Sequence, residues 1–171
     1  MTAALFSRGK GRRAATAACA VALGLIALSA CDKPTPIATV TVGSTTVTAE
    51  AAKGCYSEGG QLSKSELNKC LDGAPEKTIK VTTGEKVRIG VDPKMAETGW
   101  AVVAGTPVMN EPSKETYRSF DSEALLSQSN PQTGQSTPVD KVTLTVVQVD
   151  ERGKGSQRPK GIWRFKLERD S

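Results

Sequence analysis

Apolar and polar residues alternate in short runs from residue 37 to the end of the chain. A period of two places successive side chains on opposite faces of a β-strand. In the run 162–168, for example, Trp163, Phe165 and Leu167 would lie on one face and the charged residues on the other. Runs of this kind predict about seven or eight strands, with 116–120 as an edge strand. The predicted strands are 37–42, 46–50, 78–81, 85–91, 99–104, 116–120, 141–149 and 162–168.

Turn residues separate the predicted strands at short intervals. Gly43-Ser44 predicts a hairpin between the first two strands, and Asp92-Pro93 ends the fourth strand. The spacing from Ser63 to Glu66 is that of a capping box, which predicts a single helical turn. A second helical turn is predicted at 123–126. The remaining long connections are predicted to be loops, namely 92–98, 127–138 and 150–161.

Short strands separated by turns at this spacing favour an all-β fold, an immunoglobulin-like β-sandwich over residues 37–171. Trp100 follows both Cys55 and Cys70 in the chain. Antibody domains have their core tryptophan between the two cysteines. A bond between Cys55 and Cys70 would therefore close a loop and would not join two sheets.

The first 30 residues have the composition of a secretory signal peptide. Arg8, Lys10, Arg12 and Arg13 precede an uncharged, mostly apolar run at 14–28, and no acidic residue occurs among them. A membrane span needs about 20 apolar residues, so this run is short for one. A retained membrane anchor is the alternative interpretation.

The junction Leu28-Ser29-Ala30-Cys31 resembles the lipobox of bacterial lipoproteins. The resemblance implies that Cys31 receives a diacylglyceryl group and fatty acyl chains such as palmitate, and that cleavage occurs before it. Residues 31–36 would then tether the domain to the extracytoplasmic face of the cell membrane. Arg12-Arg13 leaves the export route open between the general and the twin-arginine pathways.

Charge argues against nucleic acid as a partner. The chain carries 23 basic and 18 acidic residues, but four of the basic residues and none of the acidic ones lie in the first 30. The remainder therefore has a net charge of only +1. Excess basic charge is concentrated locally in the predicted loop 150–161, at Arg152, Lys154, Arg158 and Lys160. This loop could contact anionic lipid headgroups or wall polymers; a solvated hairpin tip is the alternative.

The cysteines divide into two groups. Cys19 lies in the signal peptide and Cys31 in the lipobox, which leaves Cys55 and Cys70 as an even pair in an exported domain. Paired cysteines in an oxidising compartment predict a disulfide. A redox-active thiol pair is the alternative, although the spacing is not C-x-x-C.

No residue pattern commits the chain to catalysis. Histidine is absent, which excludes Ser-His-Asp and Cys-His systems and most zinc and copper sites. The sequence also lacks a P-loop and an EF-hand-type calcium loop. We therefore expect no catalytic, cofactor-binding or metal-binding residues. The predicted function is a non-enzymatic binding or structural module of the cell envelope, acting on an unidentified envelope protein or polymer; an enzyme of unknown type is an alternative.

From Cys31 onward the chain resembles a group of uncharacterised actinobacterial lipoproteins with an immunoglobulin-like domain. Besides the lipobox, the resemblance rests on TVTVGSTTVTAE at 39–50, the Cys55/Cys70 loop, GEKVRIGVDP at 84–93, and Gly99-Trp100. It implies the location and the fold, and it implies no activity.

A second resemblance is to immunoglobulin-type inhibitors of papain-like cysteine proteases, the chagasin group. Residues 92–100 occupy the place of that group's N-P-T-T-G loop, and Arg158-Pro159 occupies the place of its Arg-Pro loop. The N-P-T-T-G motif itself is absent, and no aromatic residue directly follows Pro159. This resemblance implies protease inhibition as an alternative function.

Overall fold

The computed structural model describes residues 34–130, 132–149 and 158–170. Residues from Thr35 onward form one unit with its own core. The predicted signal peptide, the lipobox and Cys31 lie outside the described residues, as do Arg152 and Lys154.

The described residues form two main sheets, and the predicted all-β class is confirmed. The strands are β1 (Ile37–Val42), β2 (Thr45–Glu50), β3 (Lys77–Val81), β4 (Lys86–Val91), β5 (Trp100–Ala104), β6 (Thr106–Pro107), β7 (Tyr117–Asp121), β8 (Ser127–Ser129), β9 (Ser136–Pro138), β10 (Lys141–Val149) and β11 (Pro159–Arg169). The helices are α1 (Lys64–Asp72), α2 (Pro93–Thr98) and α3 (Ser122–Leu125).

Strand order separates the two sheets clearly. The first sheet has the order β2-β1-β4-β7 and is antiparallel throughout. The second has the order β3-β11-β10-β5-β6, and β3 is parallel to β11 while the other neighbours are antiparallel. β8 and β9 form a separate small hairpin.

The core lies between the two sheets and is built from the alternating apolar positions. Val40 and Ile89 from the first sheet, and Leu144 and Phe165 from the second, are fully buried members of one cluster. Trp163 and Leu167 are buried in the same cluster, so the prediction for the inward face of β11 is confirmed. Full burial of a large apolar side chain contributes about 1.5–3 kcal/mol, so these strands carry much of the stability.

The eight predicted strands are all present, with ends that differ by at most three residues. The largest difference is at β11, which begins at Pro159, so Lys160 belongs to the strand and not to the loop. The predicted helical turn at Ser63–Glu66 extends into the nine-residue α1. The predicted loop 127–138 contains the β8–β9 hairpin.

The prediction that residues 92–98 form a loop is wrong, because Asp92 caps α2 and 93–98 form it. The Asp92 carboxylate accepts a hydrogen bond from the Lys94 amide at 3.0 Å, and Pro93 occupies the start of the helix, where it is well tolerated. Met95 is buried against the core. Buried Gln148 donates through Nε2 to the Lys94 carbonyl at 3.1 Å and to Thr98 Oγ1 at 2.8 Å.

Two buried tryptophans attach irregular segments to the core through their indole N–H groups. Trp100 Nε1 donates to the Glu115 carbonyl at 2.6 Å, which holds the connection before β7. Trp163 Nε1 donates to the Pro36 carbonyl at 2.7 Å, which holds the residues before β1. Each bond gives the polar atom of a buried indole a partner while the ring fills the core.

The Trp163 ring also leaves no room for a side chain at position 161, two residues earlier on the strand, where the residue is glycine. A Cβ at position 161 would lie 2.6 Å and 2.8 Å from Trp163 ring carbons and 2.9 Å from Tyr56 Cδ2. The Tyr56 and Trp163 ring centroids are 6.1 Å apart, so the glycine sits where two aromatic rings close over the strand.

We predict that Gly161→Ala destabilises the domain by about 1–3 kcal/mol, because overpacking forces the rings or the strand to shift. Chemical unfolding of the two proteins measures the difference in the free energy of unfolding. Gly90→Ala, on β4, is the matched control, because a Cβ there approaches nothing closer than 3.9 Å. Equal stability of the Gly161→Ala variant and the unsubstituted protein would contradict the packing described.

Candidate functional site

Part of the outer face of β11 is covered by the connection between β2 and β3. Ile162 and Arg164 alternate with Trp163 and Phe165, so they point away from the main core. Cys55, Leu62 and Cys70 of the connection pack against Ile162 on this face. The strand is therefore buried on both sides at Ile162, whereas Arg164 and the outward residues after it are half-buried.

Backbone pairing attaches this connection to the first half of β11. Tyr56 forms an antiparallel bridge with Gly161. Ser57 N donates to the Lys160 carbonyl at 2.9 Å, and Ile162 N donates to the Cys55 carbonyl at 2.9 Å. The second half of β11 pairs with β3 from Phe165 onward. Arg164 lies between the two pairings.

A small second core forms where the connection meets the outer face. Cys55 and Cys70 are joined by a disulfide with Cα atoms 5.6 Å apart, as the sequence predicts. Both are buried with Leu62 and Ile162, and Leu67 packs against them. A core of this size excludes little apolar surface from water, so the covalent bond has a large share in holding the segment closed.

The predicted capping box begins α1 and positions it over the second core. The Glu66 amide donates to Ser63 Oγ at 3.2 Å, and the Ser63 amide donates to Glu66 Oε2 at 2.8 Å. Hydrogen bonding to the Glu66 carboxylate, first from the Ser63 side chain and then from the Ser63 amide, lowers the pKa of Glu66. The Glu66 carboxylate is thus ionised and engaged at the start of the helix.

Arg164 meets the other end of α1. Its Nη1 donates to the Cys70 carbonyl at 3.2 Å, one of the carbonyls that the last turn of a helix leaves without an intrahelical partner. Its Nε is buried and has no hydrogen-bond partner. Burial lowers the pKa of the half-buried guanidinium, and the charge of Asp72 opposes this shift. Among the described residues, no carboxylate oxygen lies within 4 Å of the guanidinium nitrogens.

These elements line a cavity of about 300 Å³ beside the disulfide, and the cavity is partly open to solvent. The cavity wall combines the end of β2, the turn before Cys55, α1, the residues before β3, and the outer face of β11. Its lining is mostly apolar, and the charged residues other than Arg164 are exposed. The lining residues are Ala49, Glu50, Ala52, Lys53, Gly54, Cys55, Glu66, Lys69, Cys70, Gly73, Ala74, Glu76, Ile162 and Arg164.

The four basic residues predicted to form a contact loop occupy different settings. Arg152 and Lys154 lie outside the described residues. Arg158 is exposed just before β11. Lys160 is half-buried within the strand, and its Nζ lies 5.8 Å from the centroid of the Tyr56 ring, within cation–π range. Lys160 therefore already has a partner within the protein.

The segment that the chagasin resemblance compares with an inhibitory loop has a different geometry here. Residues 92–98 begin with the Asp92 cap and continue as α2, with Met95 and Ala96 buried. A helix held in this way does not present an open loop to a protease cleft.

The described residues contain neither a candidate metal cluster nor a helix suited to span a membrane. No group of three or more cysteine, aspartate or glutamate side chains in 34–130, 132–149 and 158–170 is arranged to hold a metal ion. None of the helices in these ranges has the length and apolarity needed to cross a membrane.

Sequence reasoning identified the disulfide and the capping box but missed the cavity and Arg164. Alternation along β11 assigns Arg164 to the outer face, and an arginine on an outer face is ordinarily solvated. The signal available in the sequence was Ile162, an apolar residue at an outward position of the strand, which indicates that another segment covers this face.

Comparisons with known proteins assign no family or function to this chain. No protein-family model, no curated protein and no solved structure matches the chain.

Proposed function

We propose that this chain is an exported lipoprotein, anchored to the extracytoplasmic face of the cell membrane through Cys31, that acts as a non-enzymatic binding or structural module. The observation that carries the proposal is the buried Cys55–Cys70 disulfide. Structural disulfides persist in oxidising compartments, which agrees with the export implied by residues 1–31.

The arrangement of strands supports an immunoglobulin-like sandwich as the module. β1, β4 and β7 take the places of strands A, B and E in one sheet, and β5, β10 and β11 those of C, F and G in the other. β2 and the disulfide-closed connection before β3 are additions to that plan. A rigid sandwich that presents connections at its ends is suited to recognition.

A short tether would keep the module close to the lipid surface. Thr35, four residues after Cys31 in the sequence, is held to the module because its Oγ1 accepts a hydrogen bond from the Ala51 amide at 3.1 Å. Four residues reach at most about 14 Å. Partners of the module would therefore be envelope proteins or polymers found near the membrane.

Lipidation at Cys31 is tested by replacement of its sulfur. We predict that Cys31→Ala abolishes lipidation, so that the protein with normal mature mass disappears from the membrane fraction. Membrane fractionation with intact-mass measurement checks this. Cys19→Ala is the matched control: position 19 would be removed with the signal peptide, so the mature protein should be unchanged. A Cys31→Ala protein that stays at the membrane with its normal mature mass would exclude the lipoprotein assignment.

The disulfide is tested by its effect on stability. Closing a loop of about 15 residues contributes roughly 3 kcal/mol in the chain-entropy model, so a Cys55→Ala/Cys70→Ala protein should lose stability on that order. Urea unfolding measures the difference. Alkylation of either cysteine in the native, unreduced protein from membranes would show that the bond is absent, against the proposal.

A further inference from the structure

We propose that the cavity beside the disulfide binds a small amphipathic molecule with a carboxylate group, and that Arg164 binds this carboxylate. The inference deepens the proposed role as a binding module. It rests on that role alone and is independent of the lipid anchor.

Arg164 carries a positive charge for which the described residues supply no carboxylate at ion-pair distance. The guanidinium is half-buried, its Nε is enclosed without a partner, and no described carboxylate lies within 4 Å of it. The charge of Asp72 acts on Arg164 without forming an ion pair within 4 Å, so the loss of hydration at the half-buried guanidinium is only partly offset. An arginine side chain has five N–H donors, and Arg164 makes one hydrogen bond with them, to the Cys70 carbonyl. The planar donors that remain match the geometry of a carboxylate.

The other charged residues of the cavity are exposed, so water weakens their interaction with a ligand. Glu50, Glu76, Lys53 and Lys69 are exposed at the rim, so solvent and salt screen their effect on a ligand. The remaining acid, Glu66, already accepts from the Ser63 amide. Among the charged residues of this lining, Arg164 is the one that is partly removed from water. Because its guanidinium is positive, it favours an anionic ligand.

The size and lining of the cavity define the rest of the ligand. One water molecule occupies about 30 Å³ in the liquid, so a cavity of about 300 Å³ corresponds to about ten water-sized groups, or a ligand of about ten non-hydrogen atoms. The disulfide, Ile162 and Ala49 offer apolar surface to a hydrocarbon portion. A carboxylate on a short hydrocarbon chain, of the size of octanoate, satisfies both requirements.

The experiment uses octanoate as the probe and the full chain, purified from membranes into nanodiscs of neutral lipid. Equilibrium dialysis measures binding, and empty nanodiscs correct for partition into lipid. We expect saturable binding with a dissociation constant of about 1 mM or lower, which is reasonable for a ligand of this size. Octanamide, a neutral molecule of the same size, should bind roughly tenfold more weakly or worse, because it lacks the charge-assisted bond.

Variants then assign the effect to Arg164. Arg164→Met should weaken octanoate binding by roughly tenfold or more. The matched control is Lys166→Met, two positions along the same strand and on the same face; Lys166 is ion-paired to Glu168 and outside the cavity lining. Its binding should stay within about twofold of the unsubstituted protein. If Arg164→Met fails to fold, the comparison of octanoate with octanamide on the unsubstituted protein decides the question.

Absence of saturable octanoate binding, or equal binding of octanoate and octanamide, would overturn the inference. Either result in a chain that is still lipidated at Cys31 would leave the lipoprotein proposal standing. Conversely, Arg164-dependent octanoate binding by a chain that is not lipidated would support the cavity and overturn the anchor.

Discussion

The close approach of Gly161 to the rings of Trp163 and Tyr56 is the contact on which the architecture depends. Because position 161 has no side chain, Tyr56 can lie opposite it and bring the connection before β3 against β11. The same strand sends Trp163 into the main core. One strand therefore joins the sandwich to the disulfide-closed segment, and the cavity wall depends on that junction.

The two cores that meet at β11 differ greatly in size. The main core draws residues from both sheets, whereas the second consists of Leu62, Ile162 and the disulfide, with Leu67 packed against them. Such a small apolar cluster does not by itself offset the entropy of ordering a long connection. The disulfide and the pairing with β11 supply the additional stabilisation that the second core lacks. The disulfide and the pairing hold the cavity wall at both sides, which favours binding without large reorganisation.

Sequence patterns were reliable where a local rule decides the structure. Alternation located the strands and the inward face of Trp163, because burial on one side imposes a period of two. The pattern failed at α2, since Asp92-Pro93 is a signal both for ending a strand and for starting a helix. Six residues are too few to show a helical period that would decide between them.

The partly buried position of Arg164 could not be predicted from such local rules, for a different reason. Alternation states which face a residue takes, but not whether a distant segment covers that face. The cover here is set by long-range pairing of Tyr56 with Gly161 and by the bond between Cys55 and Cys70. The cysteine spacing predicts a closed loop, and only the packed fold places that loop over β11.

We infer that the sandwich and the disulfide-closed segment form one cooperative unit through β11. Native-state hydrogen exchange of individual backbone amides tests it most directly. The amides of Ser57, Leu62 and Ile162 donate across the junction, and that of Leu144 lies in the centre of the main core. We predict that the junction amides exchange with nearly the same opening free energy as the core amide. Junction amides that exchange far faster, through a local opening, would show that the segment is an independent flap and contradict the account.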